Sequence, residues 1–503
     1  MTALAVILVF LAAAMGLGLR ARSGKDMDLE QWSVGGRGFG TTFVFLLLAG
    51  EIYTTFTFLG ASGWAYGKGA PALYILCYGS LAYVMSYWLL PPIWRYAKEH
   101  RLISQSDFFV AKYRSPLLGA LVALVGVVAM VPYLVLQLKG LGIIVSVSSY
   151  GHIPSHWAVI IGTVVLTGYV TISGIHGSAW TALLKDITIL LVVLAIGIYL
   201  PVHYFGGIGG MFHAVDAAQP HFLTLPSSGM SPAWFASTVL LSAIGFYMWP
   251  HSFSASYTAQ NEKVFRRNAI FMPLYQLILL FVFFAGFTAI LVVPGLKGAD
   301  ADLSLLRIST ASFPPWIVGI VGGAGLLTAL VPGSLLLMTS ATCLAKNVYL
   351  LARPRTTDAQ VAQLAKLLVP VLALVSLYFT FNGGSSLVSL LLMGYALVTQ
   401  LFPAVLASLF RRRQVTRQGA AAGIVVGVAT VAWSTISGAT VGSLTPALPQ
   451  AVKDLNVGII ALLLNCVVTI AVSAATRERE PAHSVPAEPG PGTAALEAGA
   501  DLR

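Results

Sequence analysis

The chain has 503 residues, of which 9% are charged and 57% hydrophobic, and it carries a formal net charge of +11. Soluble domains have about a quarter of their residues charged, so this composition excludes an ordinary soluble fold and fits a chain whose solvent is mostly lipid. The basic residues sit in short clusters between apolar runs, which is topology information rather than a nucleic-acid-binding face. A membrane-crossing helix needs roughly 20 apolar residues. Thirteen runs qualify, at 2–19, 40–60, 71–94, 117–141, 156–174, 186–204, 233–252, 268–293, 314–343, 364–381, 385–410, 418–436 and 455–475. They are called spans 1 to 13 below.

Span 1 has no basic segment before it and is followed by Arg20, Arg22 and Lys25, so a retained helix is expected rather than a cleaved signal. Span 2 places Glu51 mid-membrane, directly after Gly50 and among Tyr53, Thr54, Thr55 and Thr57. Ionisable groups at that depth are costly and mark function more often than they merely tie helices together. The expectation is an unwound segment lining a central cavity. Span 4 carries Pro132-Tyr133 and then Gln137, whose amide suits a ligand or a neighbouring helix equally well. Lys139 is expected to snorkel to the membrane surface. The segment 205–232 has room for a short helix. Span 7 contains Gly245 to His251 with Trp249-Pro250 inside, and a proline there frees a carbonyl that must find another partner. Span 9 holds Val331-Pro332-Gly333-Ser334, read as a third break. Residues 476–503 are rich in Pro, Ala and Glu and are expected to be disordered.

Charge sets the orientation. With the first residue outside, the segments assigned to the cytoplasm hold 24 of the 29 Lys and Arg, with Lys185 counted as a loop residue between spans 5 and 6. That asymmetry predicts an N-terminus outside and a C-terminus in the cytoplasm of a plasma membrane. No Walker A motif is present, which argues against ATP-driven transport. Cys77, Cys343 and Cys466 lack metal-ligand spacing and read as small buried hydrophobes. His152, His156, His203, His213 and His221 match no metal motif and read as solvated surface residues. Spans 2 and 7 are five spans apart. Because five is odd, a repeat of that length inserts upside down, and paired breaks in inverted repeats point to a secondary transporter's site.

Several stretches also carry a family resemblance. They are Gly35-Gly36-Arg37, Phe58-Leu59-Gly60 with Tyr66-Gly67, Ser106-Asp107-Phe108 with Lys112-Tyr113-Arg114, and Ser173 to Thr181. Trp249-Pro250-His251 stands where a Gln-Pro-His turn is common. In order and spacing these resemble the sodium:solute symporter family over roughly residues 1–475, and most closely its monocarboxylate-permease branch.

The resemblance implies an all-α polytopic fold with 13 transmembrane helices and a leucine-transporter-type five-plus-five inverted repeat. The implied divisions are an extra helix at 1–19, a first repeat at 40–204, a second at 233–410, two further helices at 418–475 and the tail. By the Phe-Leu-Gly anchor, Gly50 and Tyr53 fall where the family supplies sodium-binding carbonyls, and Thr57 falls where sugar carriers place a glutamine. Two departures follow. Ala182 stands where many members have an Asp after Trp-Thr, the nearest acid being Asp186 at the expected start of span 6. Val331 and Pro332 stand where sodium-coupled members place a hydroxyl pair, and neither offers a side-chain oxygen. Sodium, a hard ion, wants several oxygens.

The expected function is uptake of a small organic anion of the pyruvate, lactate or acetate type with a cation, proton favoured over sodium, and with no other cofactor. Glu51, Gly50 and Tyr53 are the expected ion-coupling residues. Tyr53, Thr54, Thr57, Tyr133, Gln137, Trp249, His251 and Tyr395 are the expected solute contacts, helped by backbone N–H groups at a broken helix end. A sodium-coupled carrier of an amino acid or sugar, and a membrane sensor, are the alternatives. The partners expected are solute and lipid bilayer, with no nucleic acid.

Overall fold

The computed structural model describes residues 1–22, 28–410 and 415–477. Among these the chain is helical throughout, and the one pairing of extended segments is an isolated bridge between Phe39 and Ala259. Among the described residues, eleven helices are each long and apolar enough to cross a membrane. A twelfth span, Pro232–Met248 with Pro250–Ser256, bends by 56° at Trp249. The thirteenth, span 2, is the apolar helix Thr41–Gly50 followed by an irregular turn and by Phe56–Gly60 and Ala61–Lys68. Among the described residues, up to twelve of the thirteen expected spans are therefore long and apolar enough to cross, while span 2 is a shorter apolar helix that ends at Gly50, before Glu51, and span 7 bends before Pro250.

Span 9, Pro315–Ala352, is the axis of the bundle and is almost wholly buried. Spans 1, 4, 5, 6 and 10 surround it. Small residues allow the close approach: added methyl groups at Gly319 and Gly322 would run into Ala3, Val6 and Ile7 of span 1. With no hydrophobic effect between helices in lipid, such small-residue faces supply the van der Waals contact that holds them. The same device pairs spans 12 and 13, where Gly419, Gly423 and Gly427 recur every four residues against Ser473, Thr469 and Asn465. Large apolar side chains such as Leu191, Leu274, Val467 and Ile470 point outward, as a lipid-facing surface requires.

Two features differ from expectation. Spans 5 and 6 have no loop between them. Ser155–Ile172 passes into Gly174–Phe205 through a single non-helical residue, Gly174, at φ 54° and ψ −155°. Lys185 and Asp186 thus lie well inside span 6, not before it, and Lys185 is not a loop cation. Span 9 also runs unbroken through Val331 to Ser334. The Pro332 ring costs one ladder bond, and neighbouring Thr328 and Ser334 bond back to Gly325 and Val331 carbonyls within the helix. The segment 205–232 carries the helix Ile208–Ala218. The tail beyond 477, expected to be disordered, lies outside the described residues.

Candidate functional site

Breaking a helix in a membrane strands its backbone groups, and the break in span 2 can be followed carbonyl by carbonyl. The Glu51 carbonyl accepts the Tyr133 hydroxyl of span 4 at 3.0 Å. The Ile52 carbonyl accepts the Thr57 hydroxyl at 2.5 Å and the Thr54 amide at 2.9 Å. The Thr57 oxygen in turn accepts the Thr54 amide at 3.1 Å. The Gly50 and Tyr53 carbonyls both accept from one group, the Lys185 ammonium, at 3.0 and 3.2 Å. A Cβ on residue 50 would lie 2.9 Å from Nζ, so a side chain there would push the ammonium from this position.

Lys185 is fully enclosed. Its neighbour Asp186 lies 3.0 Å away through Oδ1, an ion pair whose angle falls short of a hydrogen bond. Glu51 stands in the electrostatic field of the same ammonium. Its Oε2 accepts the hydroxyl of Ser252 in the second half of span 7, while Oε1 has no hydrogen bond within the protein. Glu51 thus joins the two broken helices: its carbonyl binds span 4 and its carboxylate binds span 7. The carbonyl freed at the second break, that of Met248, accepts the side-chain amide of Gln105 at 2.8 Å.

The expected solute contacts gather beside these breaks. Trp249 lies 5.2 Å from Tyr133, 5.4 Å from Tyr395 and 5.7 Å from His251, ring centre to ring centre, and Tyr78 adds a further edge contact to Tyr395. Gln137, one turn beyond Tyr133, accepts the Thr55 hydroxyl at 2.7 Å, so it does tie two helices. Its Nε2, Trp249 Nε1 and His251 Nδ1 are buried with no partner in the protein. Tyr53 is turned away from this cluster, its hydroxyl donating to the Tyr275 carbonyl at 2.9 Å, and Thr57 is engaged in closing the break. Thr54 is buried at the break, where its hydroxyl accepts the Phe56 amide. Lys139 reaches the surface and donates to the Ser385 carbonyl.

The positions where the resemblance expects sodium ligands from side chains are apolar together. Val331 of span 9 and Ala182 of span 6 are buried against Leu46 of span 2 in one small cluster, and Pro332 is buried beside them. Sequence reasoning missed Lys185, Ser252 and Gln105. The signal for Lys185 was its place three residues after Ala182, on the same helical face.

Comparison with known proteins agrees with this architecture. The model of the sodium:solute symporter family matches residues 32–427. An uncharacterized symporter of Bacillus subtilis (strain 168), YhjB, is 66% identical over 480 residues, covering 95% of this chain and 98% of that one. A monocarboxylate transport permease protein of Rhizobium johnstonii is 29% identical over 427 residues, covering 81% and 84%. Among solved structures, a Na+-coupled sialic acid symporter in a substrate-bound outward-open state superposes with a TM-score of 0.78 over 95% of this chain and 98% of that one, at 16% identity. That likeness carries the fold, the leucine-transporter-type inverted repeat.

Proposed function

Because the chain belongs to the sodium:solute symporter family, we propose that it is a secondary active symporter taking up a short monocarboxylate of the pyruvate, lactate or acetate type together with a proton. The observation that carries the reading is the set of unpartnered buried donors, Gln137 Nε2 and Trp249 Nε1, within an aromatic cluster flanked by two broken helices. A buried polar atom without a partner costs about 1–3 kcal/mol, which a carboxylate oxygen would relieve. The walls of Tyr133, Trp249 and Tyr395 suit a small body behind that carboxylate. The relative described as a monocarboxylate permease supports the same class. In the orientation favoured by the charge asymmetry, the N-terminus is outside and the C-terminus cytoplasmic, with 40–204 and 233–410 as the two inverted repeats.

Glu51 is the proton carrier in this reading. One ammonium, Lys185, faces two carboxylates, Asp186 and Glu51, so a single proton brings the group to neutrality. Tyr83, Tyr133 and Tyr247 also stand within the field of Glu51, and none of them supplies a second cation. A proton moving with the anion makes the pair neutral and removes the cost of carrying an isolated charge through a dry gate.

Counterflow in proteoliposomes tests this with labelled pyruvate, lactate, acetate, proline and glucose, under pH and sodium gradients imposed separately. An inward proton gradient is expected to drive accumulation of the acids. Glu51→Gln, which holds the neutral form, is expected to abolish that accumulation and retain counterflow. Transport of proline or glucose but of none of the acids would refute the solute class. Sodium-stimulated uptake at constant pH and potential, with no response to pH, would refute the proton.

A further inference from the structure

The family's name implies sodium as the coupling ion, and the carbonyls of an unwound membrane helix are where such an ion is met. Here those carbonyls already hold a cation. We propose that the Lys185 ammonium is a resident substitute for sodium, and that the broken span 2 keeps its transport-competent shape with no sodium bound there. An ammonium has three N–H donors. Three oxygens stand within 3.2 Å of Nζ: the Gly50 and Tyr53 carbonyls, which accept hydrogen bonds from it, and Asp186 Oδ1, which pairs with it by charge. Gly50 also ends the helix Thr41–Gly50, whose negative dipole end favours a positive charge.

The surroundings are consistent with this. A hard cation needs several oxygens around it. About one helical turn before Gly50 and Lys185, spans 2, 6 and 9 meet through Leu46, Ala182 and Val331, none of which offers a side-chain oxygen. Gly50 lacks the Cβ that would push the ammonium away. An apolar contact among spans 2, 6 and 9, an enclosed ammonium and the absence of a side chain at residue 50 are three features with one explanation. A sodium ion entering beside the enclosed ammonium would meet a like charge at close range in a dry site. The inference rests on the chain being a symporter, and on neither its solute nor its proton.

The test uses the full-length protein purified into lipid nanodiscs. Binding of 22Na+ is measured by scintillation proximity, and melting temperature is followed while sodium chloride replaces choline chloride at constant ionic strength. The wild type is expected to show no saturable 22Na+ binding and the same melting temperature in both salts. Lys185→Met vacates the pocket but leaves the two carbonyls and both carboxylates, and it is expected to acquire saturable sodium binding and sodium-dependent stabilisation. Saturable sodium binding by the wild type would overturn the proposal, and so would a sodium response that Lys185→Met leaves unchanged. Should Lys185→Met fail to fold, the wild-type titration decides alone. Neither measurement contains solute or a pH gradient, so its outcome is separate from that of the uptake assay.

Discussion

At the scale of single residues, charge burial decides most of what this chain can do, and Asp302 shows it outside the membrane spans. Its carboxylate caps the helix that begins at Leu387, accepting that residue's amide at 3.0 Å, and it is buried. Burial pushes the carboxyl up to about 6, against the opposing pull of the Leu387 amide and Lys139. The folded protein therefore binds a proton more tightly than the unfolded chain, whose carboxyl titrates near 3.8. The resulting stability is fully present below the unfolded value and is lost as pH rises through about 6. Melting measured in steps from pH 4.5 to 7 should show this slope, and Asp302→Asn should flatten it. Glu51 was legible from sequence because an acid inside an apolar run stands out. Lys185 was not: at the edge of such a run, a lysine looks like the first residue of a loop.

At the scale of elements, breaks and continuity are set by local geometry that hydropathy cannot see. The break in span 2 was legible from Gly50 and Glu51, and that in span 7 from Pro250. The third expected break failed because Pro332 sits in a helix packed on every side, where Thr328 and Ser334 bond to the helix's own carbonyls and tertiary contact holds the rest. The joint between spans 5 and 6 was missed for the converse reason. A single glycine in a left-handed conformation redirects the chain without any polar loop to announce it. Gly174→Ala should expose that dependence. A methyl group there meets the Trp32 carbonyl oxygen at 3.0 Å and adopts a backbone shape that L residues avoid. A loss of about 2–4 kcal/mol is expected, read as a lowered melting temperature in detergent.

At the scale of the whole molecule, contacts far apart in sequence join the two halves. Asp107 accepts the Lys346 ammonium at 2.8 Å and the Asn347 amide at 2.9 Å, and Ser104 donates to the same Asn347. Burial works to raise the Asp107 carboxyl, and the Lys346 charge, the Asn347 amide and the Ile103 N–H outweigh it and hold it below the usual carboxylate range. Its stabilisation is therefore present at neutral pH and lost as pH falls through that lowered value. Asp107→Ala should cost about 2–3 kcal/mol, less than a wholly buried pair because Lys346 is partly exposed. The loss should shrink on acidification, which melting curves of both proteins at several pH values would reveal. The pairing was invisible beforehand, since Ser106-Asp107-Phe108 served only as a marker of resemblance and nothing in it names a partner some 240 positions away.

The contact between Lys185 and the Gly50 and Tyr53 carbonyls has a consequence for how such a carrier senses its surroundings. A group tethered to its site has an effective concentration that dilution cannot lower. Occupancy by a free ion rises and falls with the ion's abundance on each side, and so works as a gauge of the medium. Occupancy by a side chain gauges nothing. If Lys185 stands in for sodium as proposed above, the carrier stays primed in fresh water and in brine alike, and leaves the setting of direction to whatever else travels with the solute.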